Sequence, residues 1–171
     1  QRERALNDIR EVDPEYVYAT ISPRDGPSNY GLGNEVANLR LIRAERLLTL
    51  RGDYAPLQTE ALIQYQRFVN DGYTIAQQAL RDGTLYRPPG WSVATAIGHR
   101  VDSHARDQLR IAFSSARIPF GNGQRININN RLYLPEGSYR IPDVRINNIA
   151  FDGTIGHKSL TTPQVQGFMS S

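Results

Sequence analysis

An α+β fold is predicted for this chain: a helical N-terminal lobe, then a helix, a three-stranded mainly antiparallel sheet and a closing helix. Three observations predict it. Apolar residues recur near a 3.6-residue period through most of residues 34–116. Beyond Phe113 the pattern becomes short strand-like runs, "QRININNRLYL", "YRIPDVRI" and "IAFDGTI", separated by turn chemistry at "PEGS" and at Asn147-Asn148. Thr162-Pro163 then reads as the cap and first position of a last helix, Pro163 to about Met169.

The elements follow in order. Residues 1–11 are polar and read as a helix or an N-terminal arm, and "SPRDGPSNYGLG" (residues 22–33) reads as a loop from its Pro, Gly and Asn. Val36, Leu39, Ile42, Leu47 and Leu50 mark a helix that stops at Gly52. Leu57, Ala61, Ile63, Tyr65 and Phe68 mark a second helix, over residues 56–70. A third covers residues 74–81 and closes at Asp82-Gly83. "YRPPGW" (residues 86–91) is a linker. Residues 92–116 read as one long helix with Val93, Ile97, Val101, Ala105, Leu109, Ala112 and Phe113 on its buried stripe. The division falls at 1–91 for the helical lobe and 92–171 for the core that follows, unless the two form one continuous domain.

At 171 residues, with 39% hydrophobic and 22% charged side chains, the chain is long enough to bury a core. No apolar run approaches the roughly 20 residues that cross a bilayer. The start at Gln1 suggests a piece of a longer protein. The absence of cysteine excludes disulfides, zinc–cysteine centres and thiol catalysis. It also frees the fold from redox compartment. Residues 1–90 carry 11 basic and 12 acidic side chains and residues 91–171 carry 9 and 5, so the positive charge lies in the second half. That asymmetry suits a polyanionic partner, with an ordinary solvated surface as the alternative.

A two-residue turn at Asn147-Asn148 sets a register. Ile146 then faces Ile149, Arg145 faces Ala150, Val144 faces Phe151 and Asp143 faces Asp152. Alternation puts Val144, Ile146, Ile149, Phe151 and Ile155 on the core side, and Asp143, Arg145, Asp152 and Thr154 on the other. Opposed carboxylates with Cβ atoms about 4.5–5.5 Å apart repel. A divalent cation bound through their oxygens relieves that repulsion; an ion cluster with Arg145 is the alternative. Lys158, the only lysine in the chain, lies six residues past Asp152. A compact ammonium can point at a single atom in a way that a guanidinium does not.

These residues resemble the PD-(D/E)xK nuclease superfamily, and the stretch over about residues 92–169 resembles the C-terminal toxin domains of bacterial polymorphic toxins, of the contact-dependent inhibition and Rhs types. "RIPD" (residues 140–143) matches the Pro-Asp element, Asp152 the second acid, Lys158 the lysine, and Gln164 with Phe168 the Gln-x-x-x-Tyr element. The family lysine usually stands two residues after the acid, where this chain has Thr154. Six extended residues cover about 20 Å, so Gly153 or Gly156 must bend the strand, or Lys158 returns from the following segment.

The resemblance implies metal-dependent phosphodiester hydrolysis of DNA or tRNA with Mg²⁺ or Mn²⁺. Asp143 and Asp152 would be metal ligands, with Asp102 completing the shell through water. Lys158, Gln164 and Thr154 would be catalytic, and Arg100, Arg106, Arg110, Arg140 and Arg145 would contact phosphates. It also implies a cognate immunity protein, and delivery as part of a larger secreted or cell-surface toxin into the cytoplasm of a target cell. An i,i+4 pair with Arg106 is the alternative for Asp102. Two rival readings stand beside this one. One is a metal-independent ribonuclease using His99, His104 or His157 as general base, and the other is a non-enzymatic binding module.

Overall fold

The computed structural model describes residues 1–18, 32–129, 132–133, 135, 137, 139–140 and 143–151. Their elements are α1 (Arg2–Arg10), α2 (Leu32–Arg51), α3 (Ala55–Arg81), α4 (Val93–Ser115), β1 (Ile126–Ile128), β2 (Leu132–Tyr133), β3 (Tyr139–Arg140), β4 (Val144–Ile146) and β5 (Ile149–Phe151). The architecture is α+β: four helices and a three-stranded antiparallel sheet ordered β1-β4-β5, with β2 and β3 forming a separate two-stranded ladder. The loop expected over residues 22–31 and the helix expected after Pro163 lie outside the described residues.

Helix α4 begins where Ser92 turns its hydroxyl inward: Oγ accepts the Thr95 backbone N–H at 3.0 Å, satisfying a donor that the first turn leaves free. Its buried stripe is Ala96, Ile97, Val101, Ala105, Leu109 and Phe113. The expected Val93 and Ala112 are only partly buried, because the stripe turns toward Ala96 at its start.

Helix α3 corrects the two-helix expectation: Ala55–Arg81 is one helix of 27 residues. Asn70 does not break it, since the Asn70 side chain accepts a hydrogen bond from Gln66 Nε2 at 3.0 Å instead of competing for the backbone. Gly72 lies against α4, where a Cβ would meet the Val101 carbonyl oxygen and the His104 ring, each at 3.2 Å. The glycine serves a close helix crossing rather than a turn. Ile63, expected in the core, is 54% exposed, while Gln64 is buried and donates to the Ala37 carbonyl at 2.8 Å.

Helix α2 is buried on two sides. Val36 and Leu39 pack with Ala5, Leu6 and Ile9 of α1, while Leu41 and Ala44 join the main core. That core is continuous from Leu57, Tyr65 and Phe68 of α3, through Val101, Leu109 and Phe113 of α4, to Ile126, Ile128, Val144 and Ile146 of the sheet.

The β4–β5 register is the expected one: Ile146 faces Ile149, Arg145 faces Ala150 and Val144 faces Phe151, with Asn147 at φ 53° in the turn. Ile149 departs from the expected core side and is 43% exposed; it stands at the turn end of the edge strand β5. Gln58 of α3 clamps this hairpin, donating to the Ile146 carbonyl at 3.0 Å and to Asn148 Oδ1 at 3.2 Å.

On the other edge of β4, Ile126 faces Ile146 and Ile128 faces Val144, and β2 pairs with β3 in the same register. The two ladders are thus successive stretches of one hairpin. Asn129, just past the end of β1, takes a left-handed φ of 57°.

Candidate functional site

Asp143 stands one residue before β4 and is 4% exposed. Its backbone carbonyl accepts the Asn129 N–H at 2.9 Å, which ties it to the end of β1. Its carboxylate Oδ1 accepts from Arg106 Nη1 at 2.8 Å. The Asp143 side chain is 5% exposed and that of Arg106 18%. A carboxylate this deeply buried requires a cation or several donors to remain charged. Here the cation comes from α4, whereas the sequence had offered Arg145 in that part.

Helical spacing explains how α4 reaches the site. Asp102, Arg106 and Arg110 are one turn apart and lie beside the buried stripe of Val101, Ala105 and Leu109. The polar strip therefore runs along the flank of β1 and β4. Arg110 donates through Nη1 to Asp107 Oδ1 at 2.8 Å and reaches toward the Ile128 carbonyl through Nη2 at 3.5 Å. Asp102 is partly buried, and Arg100 is exposed. Arg145 occupies the middle of the central strand, between Asn127 and Ala150. The backbone of Arg140 belongs to β3.

Asp152, Thr154, Lys158, Gln164 and His157 lie outside the described residues. The described β4–β5 ladder ends at Val144 with Phe151, one step short of the expected pairing of Asp143 with Asp152. The donor chemistry suits a hard divalent cation, which takes carboxylate oxygens. Among the described residues no group of three or more His, Cys, Asp or Glu side chains is placed to hold a metal ion. Of the expected set, Asp143 and Asp102 are described, and Arg106 is paired with Asp143.

The two described histidines stand in different settings. Five residues on one helix turn through about 140°, so His99 and His104 do not share a face. His99 packs edge-on against Trp91 at a centroid distance of 5.2 Å. His104 is held at the α3–α4 crossing, and its imidazole is pushed below its ordinary pKa by burial and by Arg100, against the opposing pull of Asp71 and Asp107.

A wide cleft of about 990 Å³ lies elsewhere, between the α1–α2 side and the C-terminal end of α4. Asp13, Tyr16, Glu35, Arg46, Arg110 and Arg117 line it; neither Asp143 nor Arg106 does. Asn38, also in its wall, is 4% exposed, and neither amide atom has a hydrogen-bond partner among the described residues. Those atoms are themselves buried, so in this conformation they offer the cleft no hydrogen-bonding group. Among the described residues no helix is long and apolar enough to cross a membrane.

Sequence reasoning placed Arg106 among phosphate contacts and missed it as the partner of Asp143. The signal was present in the spacing: a polar strip one position along from a buried stripe flanks whatever that stripe packs on. Comparison with protein-family models, with curated proteins and with solved structures gives no match to this chain. The likeness to PD-(D/E)xK toxins therefore stands on the residues quoted from the sequence.

Proposed function

We propose that this chain is a metal-dependent endonuclease of the PD-(D/E)xK type that acts as a toxin on DNA or tRNA in interbacterial competition. The observation that carries the reading is Asp143: a buried carboxylate, paired with a guanidinium, one residue before a strand whose hairpin register matches the expected one as far as Val144 and Phe151. Buried, charge-coupled acids are enriched at functional sites.

In this reading Asp143 and Asp152 hold Mg²⁺ or Mn²⁺, and Asp102, one helical turn from Arg106, joins through water. The ion supplies polarisation of the scissile phosphate and a lowered pKa for the attacking water. The protein's own residues do the rest. Lys158 orients the water or meets charge developing on phosphorus, Gln164 and Thr154 position Lys158 or substrate, and Arg100, Arg110, Arg140 and Arg145 take phosphate oxygens. A cognate immunity protein, acidic where it meets the basic half, would be the protein partner, and delivery would be as part of a larger secreted or cell-surface toxin.

The test is incubation of plasmid DNA and total RNA with wild type, Asp143→Ala and Asp143→Asn, in Mg²⁺ and in EDTA, with circular dichroism to confirm folding. Cleavage by wild type in Mg²⁺ alone, lost in folded variants, supports the proposal. Cleavage that survives EDTA points to a histidine ribonuclease. Absence of cleavage of either nucleic acid points to a binding module in which Arg106–Asp143 is a structural ion pair.

A further inference from the structure

We infer that the connection between α3 and α4 is a platform for the unpaired nucleotides of an RNA: Tyr86 and Trp91 take base faces, and Arg87 and Arg100 take phosphates. As a binding surface it is independent of the nuclease reading above. Joined to that reading, it selects tRNA over duplex DNA as the substrate. No residue of the Asp143 site takes part, and no metal ion is needed.

The connection is held at both ends. After α3 the Thr84 and Leu85 N–H groups both donate to the Ala79 carbonyl, at 2.8 and 3.1 Å, and Leu85 packs against the main core. Residues 88–91 then form a type II turn. The Trp91 N–H donates to the Pro88 carbonyl at 3.1 Å, and Gly90, after Pro89, takes the left-handed φ of 84° that its place in the turn requires. Arg87 and Pro88 each precede a proline, which disfavours helical backbone at both. A segment this stiff has little freedom to lose on binding.

Tyr86 stands on that segment at 80% exposure. Alone, an exposed tyrosine is ordinary; its neighbours set this one apart. The turn brings Trp91 back beside Pro88, and the Trp91 ring meets the exposed His99 ring edge-on at 5.2 Å. Arg87 and Arg100 are exposed, and among the described residues neither makes an ion pair. From Gly83 to Val101 the chain has no carboxylate. Aromatic rings interleaved with guanidiniums match a nucleotide strand, which alternates flat π faces with anions. A duplex keeps its bases stacked on one another, whereas unpaired bases are free to stack on aromatic side chains. Loops and ends of a tRNA supply such bases as standing structure.

Trp91 is the only tryptophan in the chain, so its fluorescence reports on the platform directly. It is titrated in EDTA, where metal-dependent cleavage cannot intervene, with total tRNA, an unstructured RNA strand and a DNA duplex. The two RNAs are expected to quench it saturably and the duplex to leave it unchanged. Tyr86→Ala should weaken binding of the RNA strand about fivefold or more, the loss of one stacked base. Arg87→Gln should make log K against log salt shallower by about 0.7, the loss of one phosphate contact on a single strand. Circular dichroism checks that both variants fold, as substitutions at exposed positions should. Quenching by the duplex as strong as by tRNA overturns the choice of unpaired RNA. Affinities that neither substitution moves overturn the platform. No quenching by any of the three also overturns it, and leaves the connection as a proline segment of the kind that aromatic-lined protein grooves take.

Cleavage of tRNA in Mg²⁺ separates this inference from the nuclease reading. Saturable quenching without cleavage sinks the nuclease reading and leaves the platform. Cleavage with the same KM in wild type, Tyr86→Ala and Arg87→Gln sinks the platform and leaves the nuclease reading.

Discussion

Arg106 Nη1 donates to Asp143 Oδ1 across 2.8 Å and so joins the middle of α4 to the residue that precedes β4. The two partners are not equally buried: Asp143 is sealed, while Arg106 keeps a face to solvent. Removing one is therefore not equivalent to removing the other. Arg106→Gln takes the guanidinium from a buried carboxylate and is expected to cost about 3–5 kcal/mol of stability. Asp143→Asn leaves a guanidinium that can relax outward and should cost about 1–3 kcal/mol. Urea unfolding of both variants and of their double mutant measures the asymmetry and the coupling. Equal single costs with no coupling would mean that the pair is not held as described.

The α3–α4 crossing depends on Gly72. Alanine there gains helix propensity of about 1 kcal/mol, but its Cβ would press on the backbone of Val101 at 3.2–3.3 Å. Overpacking of this kind costs about 1–3 kcal/mol, and backbone cannot turn aside as a side-chain tip can. Gly72→Ala is expected to lower the thermal midpoint by a few degrees, and Gly72→Val to lower it much further. A raised midpoint for Gly72→Ala would show that the crossing has room for a methyl group.

At the same crossing His104 makes stability depend on pH. Burial and Arg100 hold its pKa below the ordinary 6.5 in the folded protein, with Asp71 and Asp107 opposing. The unfolded chain therefore binds the proton at a higher pH than the folded one. More protons on the unfolded state means that stability rises with pH, so it falls as pH drops below about 6.5. Chemical unfolding between pH 7.5 and 5 should show a steeper loss for wild type than for His104→Gln. Parallel curves would remove His104 as the cause.

Asn38 lies in the wall of the large cleft, with both amide atoms buried and without a hydrogen-bond partner among the described residues. A buried amide without hydrogen bonds costs about 1–3 kcal/mol, and an apolar side chain of similar shape avoids that cost. Asn38→Leu is expected to stabilise the fold by an amount in this range, read as a raised urea midpoint at unchanged slope. A destabilised variant would mean that the amide has a partner in the folded protein.

The parts of the structure that the sequence foretold follow from local chemistry. An asparagine pair that accepts positive φ determined the β4–β5 register, and Asn147 is at φ 53°. The 3.6-residue period found five of the six buried positions of α4, from Ile97 to Phe113. What escaped depended on contacts distant in the chain. Asn70-Asp71-Gly72 looks like a helix break until α4 lies across it. Ile149 alternates toward the core but stands at the turn end of an edge strand, where it is 43% exposed. Asp143 alternates outward only if it belongs to the strand; it stands one residue before β4, where a guanidinium 37 positions earlier decides its environment. No pattern local to the hairpin contains that arginine.

Mn²⁺ binding isotherms of wild type, Asp143→Asn and Asp152→Asn test the central claim most directly. The claim predicts that wild type takes up the ion and that each variant binds it about tenfold more weakly or worse. Wild type that binds no Mn²⁺, or three superimposable isotherms, would contradict it.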